Sequence, residues 1–305
     1  MRVIKALPFV PGSLPGALPL SLVPLAPRGL RAMALEAAFL AGRTLLYPVG
    51  MAQERYAPAP ASDAARCPKP SAGSPGPTGP IESAGNHEWR GRPPVLLIHG
   101  FVDNRSAFTL LRRSLARNGW HDICALNYSP LTCDIRRAAE RLGGYVEEFC
   151  VRTGRRRIDV VGHSLGGLIA RYYVQRTGGD ARVRTLVTLG TPHSGTRLAT
   201  LLSVHPIMRQ LRPESEVIQE LAGPAPGCRT RFVAFWSDLD LLMAPVETAR
   251  IDHPDLDSRN IRVHGLGHLA LSAHRDVAAG IREELAVGTA GVGRAGGIGG
   301  IGGAA

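Results

Sequence analysis

One short segment near the middle of the chain constrains the fold more than any other. It reads GHSLGG over residues 162–167, follows the apolar run 158–161 and precedes a helix-forming stretch at 165–175. The positions two before and two after Ser164 need glycine, because a side chain there would collide with the neighbouring strand and helix. The serine hydroxyl is thereby pushed out above the sheet edge at a helix N-terminus. The segment predicts a strand-turn-helix unit of a parallel α/β sheet, with an exposed serine at the turn.

Strand and helix patterns alternate on both sides of this segment. Short apolar runs predict six strands, and stretches with apolar residues at helical spacing predict the helices. We expect strands at 94–98, 123–126, 158–161, 183–189, 231–236 and 261–263, and helices at 106–118, 134–152, 165–175 and 273–285. This order predicts an α/β fold with a doubly wound, mostly parallel sheet flanked by helices.

Composition divides the remainder of the chain into flanking segments. Residues 1–56 are apolar and rich in proline, and residues 57–88 form a linker of mostly Pro, Ala, Ser and Gly, which cannot bury enough apolar surface to fold. Residues 288–305 form a glycine-rich tail with little to pack. We therefore expect one folded, catalytic domain at 89–287.

The first segment begins with a basic stretch and continues apolar, but six prolines between residues 8 and 27 interrupt it. A signal peptide or a membrane span needs an unbroken helix, so this spacing predicts neither and favours a cytoplasmic or membrane-associated location over secretion. Residues 32–47 predict a short amphipathic helix. It either packs on the domain or makes peripheral contact with a membrane.

Charge and cysteine content limit the classes of partner. The chain has 36 Lys plus Arg against 25 Asp plus Glu, a formal charge of +11. The arginines are scattered, and the one tight cluster, at 155–157, has no interleaved aromatic residues, so we expect no nucleic-acid partner. Five cysteines without a C-x-x-C pair, and no evident ligand set, predict no metal and no cofactor.

Two backbone amides are candidates for stabilising negative charge beside Ser164. The first core strand ends in His99-Gly100-Phe101, and Gly100 lets the chain bend so that the Phe101 amide points to the same place as the amide of Leu165. Two donors that converge on one point would form an oxyanion hole. His99 and His163 lie on the strand side of their turns, which favours structural roles for both.

A serine nucleophile also needs a base and an orienting acid, expected downstream in the order Ser, Asp, His. Asp238 and Asp240 follow the strand at 231–236, while His264 and His268 follow the strand at 261–263. Each of the four comes after a strand end. The residues by themselves therefore leave both acids and both histidines open.

Five segments together carry a resemblance to a known family: HGF at 99–101, GHSLGG at 162–167, TLGTPHSGT at 188–196, D-x-x-x-x-P at 240–245 and GLGHLAL at 265–271. Over roughly residues 93–285 the chain resembles the bacterial lipases and esterases of the α/β-hydrolase superfamily. The resemblance implies Ser164 as nucleophile, Asp240 as acid and His268 as base, with Asp238 and His264 as alternatives. It also implies that the loop containing His193 lies beside the pocket and that this histidine orders the loop.

The resemblance implies hydrolysis of a small-molecule carboxylic ester, with lipid or acylglycerol esters as the expected substrates. Residues 198–228 are long and apolar, which predicts either a small lid-like insertion or a plain surface excursion. The same three residues would also serve a thioesterase, an amidase or an acyl-inositol deacylase. The alternative from a different class is a non-catalytic, membrane-associated binding protein.

Overall fold

The computed structural model describes residues 27–51, 91–128, 134–201 and 205–287. The predicted linker at 57–88 and the tail at 288–305 lie outside these ranges.

A six-stranded parallel sheet forms the centre of the fold, in the order β2-β1-β3-β4-β5-β6. The strands are β1 (Val95–Ile98), β2 (Ile123–Leu126), β3 (Ile158–His163), β4 (Val183–Leu189), β5 (Arg231–Ser237) and β6 (Ser258–Val263). The strand order reverses between β1 and β3, and ligands of open α/β sheets bind outside the carboxyl ends of the strands at such a point. The predicted doubly wound sheet is confirmed, and its reversal lies where Phe101 and Ser164 follow their strands.

Eight α-helices lie within the described residues. They are α1 (Pro27–Met51), α2 (Thr109–Arg117), α3 (Ile135–Thr153), α4 (Leu165–Arg176), α5 (Leu198–Leu201), α6 (Pro206–Gln210), α7 (Glu216–Ala222) and α8 (Arg275–Ala286). Local chemistry fixes the ends of α3: the Asp134 side chain accepts hydrogen bonds from two amides of the first turn, and Gly154 ends the helix with a φ of 65°.

Each face of the sheet is covered by its own apolar cluster. Along β1, Leu96 and Ile98 belong to the cluster that includes residues of α3, α4 and α7, whereas Val95 and Leu97 belong to the cluster on the α2 and α8 side. Successive side chains of a strand point to opposite faces, so a strand buried on both faces has an unbroken apolar run.

Helix α1 packs on the second of these faces, where Leu35 and Phe39 contact the apolar cluster. It spans 27–51, which is longer than the predicted 32–47. Of the two surroundings that the sequence left open, the structure shows contact with the domain. No helix within the described ranges has the length and apolar character needed to cross a bilayer.

The insertion between β4 and β5 contains the three short helices α5, α6 and α7. Arginines of α4 anchor the last of these: the Arg171 guanidinium donates to the carbonyl of Leu221 at 3.0 Å, and Arg176 donates to Gly223 at 2.7 Å. Helices α5 and α6 form one wall of the cavity described below.

Candidate active site

Ser164 occupies the sharp turn between β3 and α4. Its φ of 53° and ψ of −123° are a conformation that residues with a side chain seldom adopt. The flanking glycines make this turn sterically feasible. A Cβ on Gly162 would lie 2.5 Å from the Cα of Gly167, and one on Gly166 would lie 2.3 Å from two backbone oxygens at the end of β1. The serine is therefore held at the carboxyl edge of the sheet by packing that admits no side chain around it.

Asp240 and His268 form a buried hydrogen-bonded pair. The Nδ1 of His268 lies 2.8 Å from the Oδ2 of Asp240, and the two residues are 4% and 1% exposed. The other carboxylate oxygen accepts the amide of Leu242 at 3.0 Å. Because a carboxylate only accepts hydrogen bonds, Nδ1 carries the proton and Nε2 of the imidazole can accept one.

His163 supports the backbone of this histidine. Its Nε2 donates to the carbonyl oxygen of His268 at 3.1 Å, and the two rings are 4.7 Å apart between centroids. Burial, followed by the charges of His268 and Arg43, holds the pKa of His163 well below its usual value. The side chain therefore remains a neutral donor whose role is to fix the loop that contains His268.

The other two residues that the sequence left open form a separate pair. The Nδ1 of His264 lies 2.7 Å from the Oδ2 of Asp238, and the His264 side chain is 70% exposed. Both line a different surface cavity, in which Ser164 does not take part. The structure thus pairs Asp238 with His264 and Asp240 with His268, and His268 of the second pair lines a cavity with the serine.

That shared cavity has a volume of about 570 Å³ and a mostly apolar wall. Ser164, Leu165, Phe101 and His268 line it at the sheet edge. The insertion supplies an opposing wall from α5, α6 and the residues around them: Leu198, Ala199, His205, Pro206, Met208 and Leu211. The arrangement can hold an apolar group beside a serine and an imidazole.

The residues of both candidate oxyanion donors, Phe101 and Leu165, line the cavity with Ser164. Leu165 is the first residue of α4, and Phe101 follows β1 on a loop close to the turn, since a Cβ on Gly100 would be 3.2 Å from the Cβ of Ser164. Val102 follows with a φ of 53°, a strained conformation for a β-branched residue. Backbone strain thus lies directly beside one of the two candidate donors.

Two of the remaining histidines have structural partners. His99 stacks on Tyr128 at 4.3 Å and hydrogen bonds the carbonyl of Gly100, and burial lowers its pKa. His193 is buried, and its Nε2 lies 2.9 Å from the hydroxyl of Thr188. Neither lines the cavity.

Sequence reasoning missed Arg43 and Asp103, which also line the cavity and form an ion pair. Arg43 belongs to α1, so the helix reaches the site itself. The one available signal was that Glu36 and Arg43 are the only charged residues in the predicted helix at 32–47. Within the described ranges, no cluster of three or more His, Cys, Asp or Glu side chains could hold a metal ion.

Part of the chain is similar in sequence to known proteins. A family model described as the alpha/beta hydrolase fold matches residues 93–211. The triacylglycerol lipases of Pseudarthrobacter phenanthrenivorans and Burkholderia plantarii are each 28% identical to the chain over 116 residues. These matches cover 35% of this chain and 35% and 32% of the two relatives, about a third of their length.

Solved structures share the fold at lower sequence identity. The mature form of the Bacillus licheniformis lipase BlEst2 superposes with a TM-score of 0.56 at 16% identity, over 66% of this chain and 94% of that one. Aspergillus fumigatus lipase B superposes with a TM-score of 0.52 at 15% identity, over 59% of this chain and 49% of that one. On its sheet order and on the match over 93–211, the chain has the α/β-hydrolase fold and is similar to bacterial lipases and esterases.

Proposed function

We propose that the chain is a serine hydrolase that cleaves carboxylic esters through an acyl-enzyme. The observation that carries this proposal is the buried Asp240–His268 pair, whose histidine lines the same apolar cavity as Ser164, a serine at a strained turn. Ser164 is the nucleophile, His268 the general base and Asp240 the residue that orients the imidazole. The amides of Phe101 and Leu165 are the oxyanion donors.

In the first half-reaction, the Ser164 hydroxyl oxygen attacks the carbonyl carbon of the ester and its proton passes to the Nε2 of His268. The carbonyl oxygen becomes an oxyanion, stabilised by the two backbone amides and by the N-terminus of α4. The intermediate then collapses, the carbon–oxygen bond to the alcohol breaks, and His268 gives its proton to the departing alcohol.

In the second half-reaction, water attacks the acyl carbon of the acyl-enzyme and gives its proton to the Nε2 of His268. Collapse of the second intermediate breaks the bond to the Ser164 oxygen, which takes the proton back from the imidazole. The carboxylic acid leaves and the site is restored. Throughout, Asp240 keeps Nδ1 protonated and compensates the positive charge that develops on the imidazole.

The cavity favours an apolar acyl group, so we propose lipid or acylglycerol esters as substrates. Its wall contains leucine and methionine side chains from the insertion and from the loop after β5, such as Met208, Leu211 and Met243. The names of the two curated relatives, both triacylglycerol lipases, support this choice.

Hydrolysis of p-nitrophenyl esters of increasing acyl length tests the proposal, with a thioester and an anilide of the same acyl group measured alongside. We expect turnover of the ester and labelling by a fluorophosphonate. Ser164→Ala should lower kcat by about 10⁵- to 10⁶-fold and abolish labelling. Ser194→Ala, which alters an exposed serine, is the matched control. Activity of Ser164→Ala equal to that of this control would refute the assignment.

We further propose that the outer face of α1 contacts a lipid surface. Its two domain-facing charges, Glu36 and Arg43, have hydrogen-bond partners in the domain, and large apolar side chains point to solvent. The exposed residues are Leu30, Met33, Leu40, Leu45 and Leu46. Leu241 and Leu242 line one surface cavity with Met33, and Leu242 also lines the candidate active site. An apolar face of this kind suits the interfacial region of a bilayer.

Co-sedimentation with phosphatidylglycerol vesicles tests this contact, since the net charge of +11 favours an anionic surface. Replacing one leucine that is buried in lipid should weaken the free energy of membrane binding by about 1.5 kcal/mol. The double variant Leu40→Ser, Leu45→Ser should therefore bind about 100-fold more weakly. Val151→Ser, which alters a residue that is 81% exposed on α3, is the control. Equal binding by wild type and the double variant would exclude the contact.

A further inference from the structure

Helix α1 turns two of its charged side chains toward the domain. Among the side chains described on this helix, Arg31 is exposed, whereas Glu36 and Arg43 are partly buried against loops at the sheet edge. Withdrawing charged groups from water is costly unless each finds hydrogen-bond partners. The partners of these two residues lie next to the candidate catalytic groups.

The carboxylate of Glu36 binds the backbone directly after the candidate base. Its Oε2 accepts the amide of Leu269 at 3.0 Å, and its Oε1 accepts the amide of Ala270 at 2.9 Å. The residue before the base also contacts this side chain, because a Cβ on Gly267 would lie 2.2 Å from the Cγ of Glu36. Glu36 thus constrains the chain on both sides of His268.

Arg43 joins the same loop to the loop of the candidate oxyanion donor. Its guanidinium donates to the carbonyl of Leu269 at 3.2 Å and to the hydroxyl of Ser272 at 2.6 Å, and it forms an ion pair with Asp103. Asp103 lies two residues after Phe101 and accepts the amide of Asn104 at 2.9 Å. One side chain therefore spans the two loops that must keep a fixed spacing.

The end of α1 is fastened to the Phe101 side of the site. The Asn104 side-chain amide donates to the carbonyl of Tyr47 at 2.9 Å, and that of Asn127, just after β2, donates to the carbonyl of Gly50 at 2.6 Å. The carboxyl end of α1 is thus held by the segments after β1 and β2, while the middle of the helix holds the loop of His268.

We propose that Glu36 and Arg43 are positioning residues, which hold the loop of His268 and the loop of Phe101 in the arrangement that catalysis requires. The inference rests on the proposed function, because it assigns both loops catalytic groups. Helix α1 lies outside residues 93–211, the region matched by the family model. The contacts of Glu36 and Arg43 with the two loops therefore come from a helix that the family model does not include.

Glu36→Gln separates positioning from packing, because glutamine has almost the same shape as glutamate. Its single oxygen can accept one of the two amides, while its NH₂ group faces the other and leaves that donor unpaired. Arg43→Lys keeps the positive charge but loses the planar fork that reaches several acceptors. Matched controls are Glu283→Gln and Arg113→Lys, both at exposed helix positions.

The experiment measures kcat and KM for a short p-nitrophenyl ester, with active sites counted by complete fluorophosphonate labelling. A misplacement of about 1 Å can cost up to about 100-fold in rate. We expect kcat per active site to fall by about 10- to 100-fold in both variants, with KM within about threefold. The deshielded proton of the His268–Asp240 hydrogen bond, observed by ¹H NMR, should broaden or shift in the variants and stay unchanged in the controls.

A kcat per active site equal to that of the controls, together with an unchanged proton signal, overturns the proposal. Fewer active sites with a normal kcat at each also overturns it, since α1 would then serve folding alone. If the wild-type chain cleaves no ester, the proposed function fails, and the proton signal alone decides whether Glu36 and Arg43 fix the position of His268.

Discussion

Replacing Asp240 by Asn tests the candidate acid at nearly constant shape. Its Oδ1 accepts the amide of Leu242 at 3.0 Å, and its Oδ2 accepts the Nδ1 of His268 at 2.8 Å. Asparagine has a single oxygen, so its NH₂ group must face one of these two donors.

The free-energy cost of each orientation of the asparagine gives the expected fall in kcat. If the NH₂ group faces His268, Nδ1 becomes an acceptor and Nε2 carries the proton, so the imidazole cannot accept a proton from Ser164. The reverse arrangement leaves the buried amide of Leu242 unpaired at about 1–3 kcal/mol, which makes the competent tautomer about 5- to 150-fold rarer.

Loss of the charged hydrogen bond to the imidazolium removes about 1.5–3 kcal/mol more in the transition state, a further factor of about 10 to 150. The two effects together predict a fall in kcat of about 10²- to 10⁴-fold. The upper end matches the loss of roughly 10⁴-fold known for the orienting aspartate of a serine protease.

The assay is steady-state hydrolysis of p-nitrophenyl butyrate by Asp240→Asn and by Asp238→Asn, with folding checked by circular dichroism. Asp238 pairs with an exposed histidine, and exposed pairs contribute at most about 1 kcal/mol, so Asp238→Asn should cost less than about fivefold. The reasoning is refuted if Asp240→Asn stays within fivefold of wild type, or if Asp238→Asn is the more damaging change.

Three further predictions concern the scaffold of the site. Gly166→Ala should unfold the chain or destabilise it by about 3 kcal/mol or more, measured by urea denaturation, because its Cβ would lie 2.3 Å from fixed backbone oxygens. Val102→Gly should raise the free energy of unfolding by about 1 kcal/mol or more, since glycine adopts a φ of 53° without strain; a loss of stability would contradict this. Burial raises the pKa of Asp159 to about 6 despite its ion pair with Arg184. The folded state therefore retains a proton on Asp159 that the unfolded state loses near pH 4. As pH rises from about 4 to 6, this group should lower the free energy of unfolding by up to about 3 kcal/mol. Asp159→Asn should abolish that part of the pH dependence in urea titrations.

The sequence predicts the sheet well because its central strands are buried on both faces. β2 and β4 have the predicted bounds, and β1, β3 and β5 differ by one or two residues. β6 is the exception, since the structure begins it at Ser258 and the prediction began at residue 261. Ser258, Arg259 and Asn260 are polar residues of a partly exposed edge strand, where an apolar pattern is not required.

The candidate site was less predictable because its parts interact over long distances in the sequence. Both aspartates and both histidines follow strand ends, and burial, which distinguishes the two pairs, depends on packing by distant segments. The partners of Glu36 and Arg43 lie between 60 and 234 residues away along the chain, so no local pattern could indicate them.

The two Asp–His pairs place the same contact in two different dielectric surroundings. Their hydrogen bonds are 2.7 Å and 2.8 Å long, yet the His264 side chain is 70% exposed, whereas both side chains of the other pair are almost fully buried. Mobile ions screen exposed charges over about 10 Å at 0.1 M salt but cannot enter a closed interior. Ionic strength should therefore weaken the coupling of Asp238 to His264 and leave that of Asp240 to His268 nearly constant. If turnover depends on salt, the dependence should therefore arise from the encounter with the substrate and not from the chemical step. The excess of arginine gives the chain a net positive charge, and salt screens the attraction of that charge to a charged substrate surface.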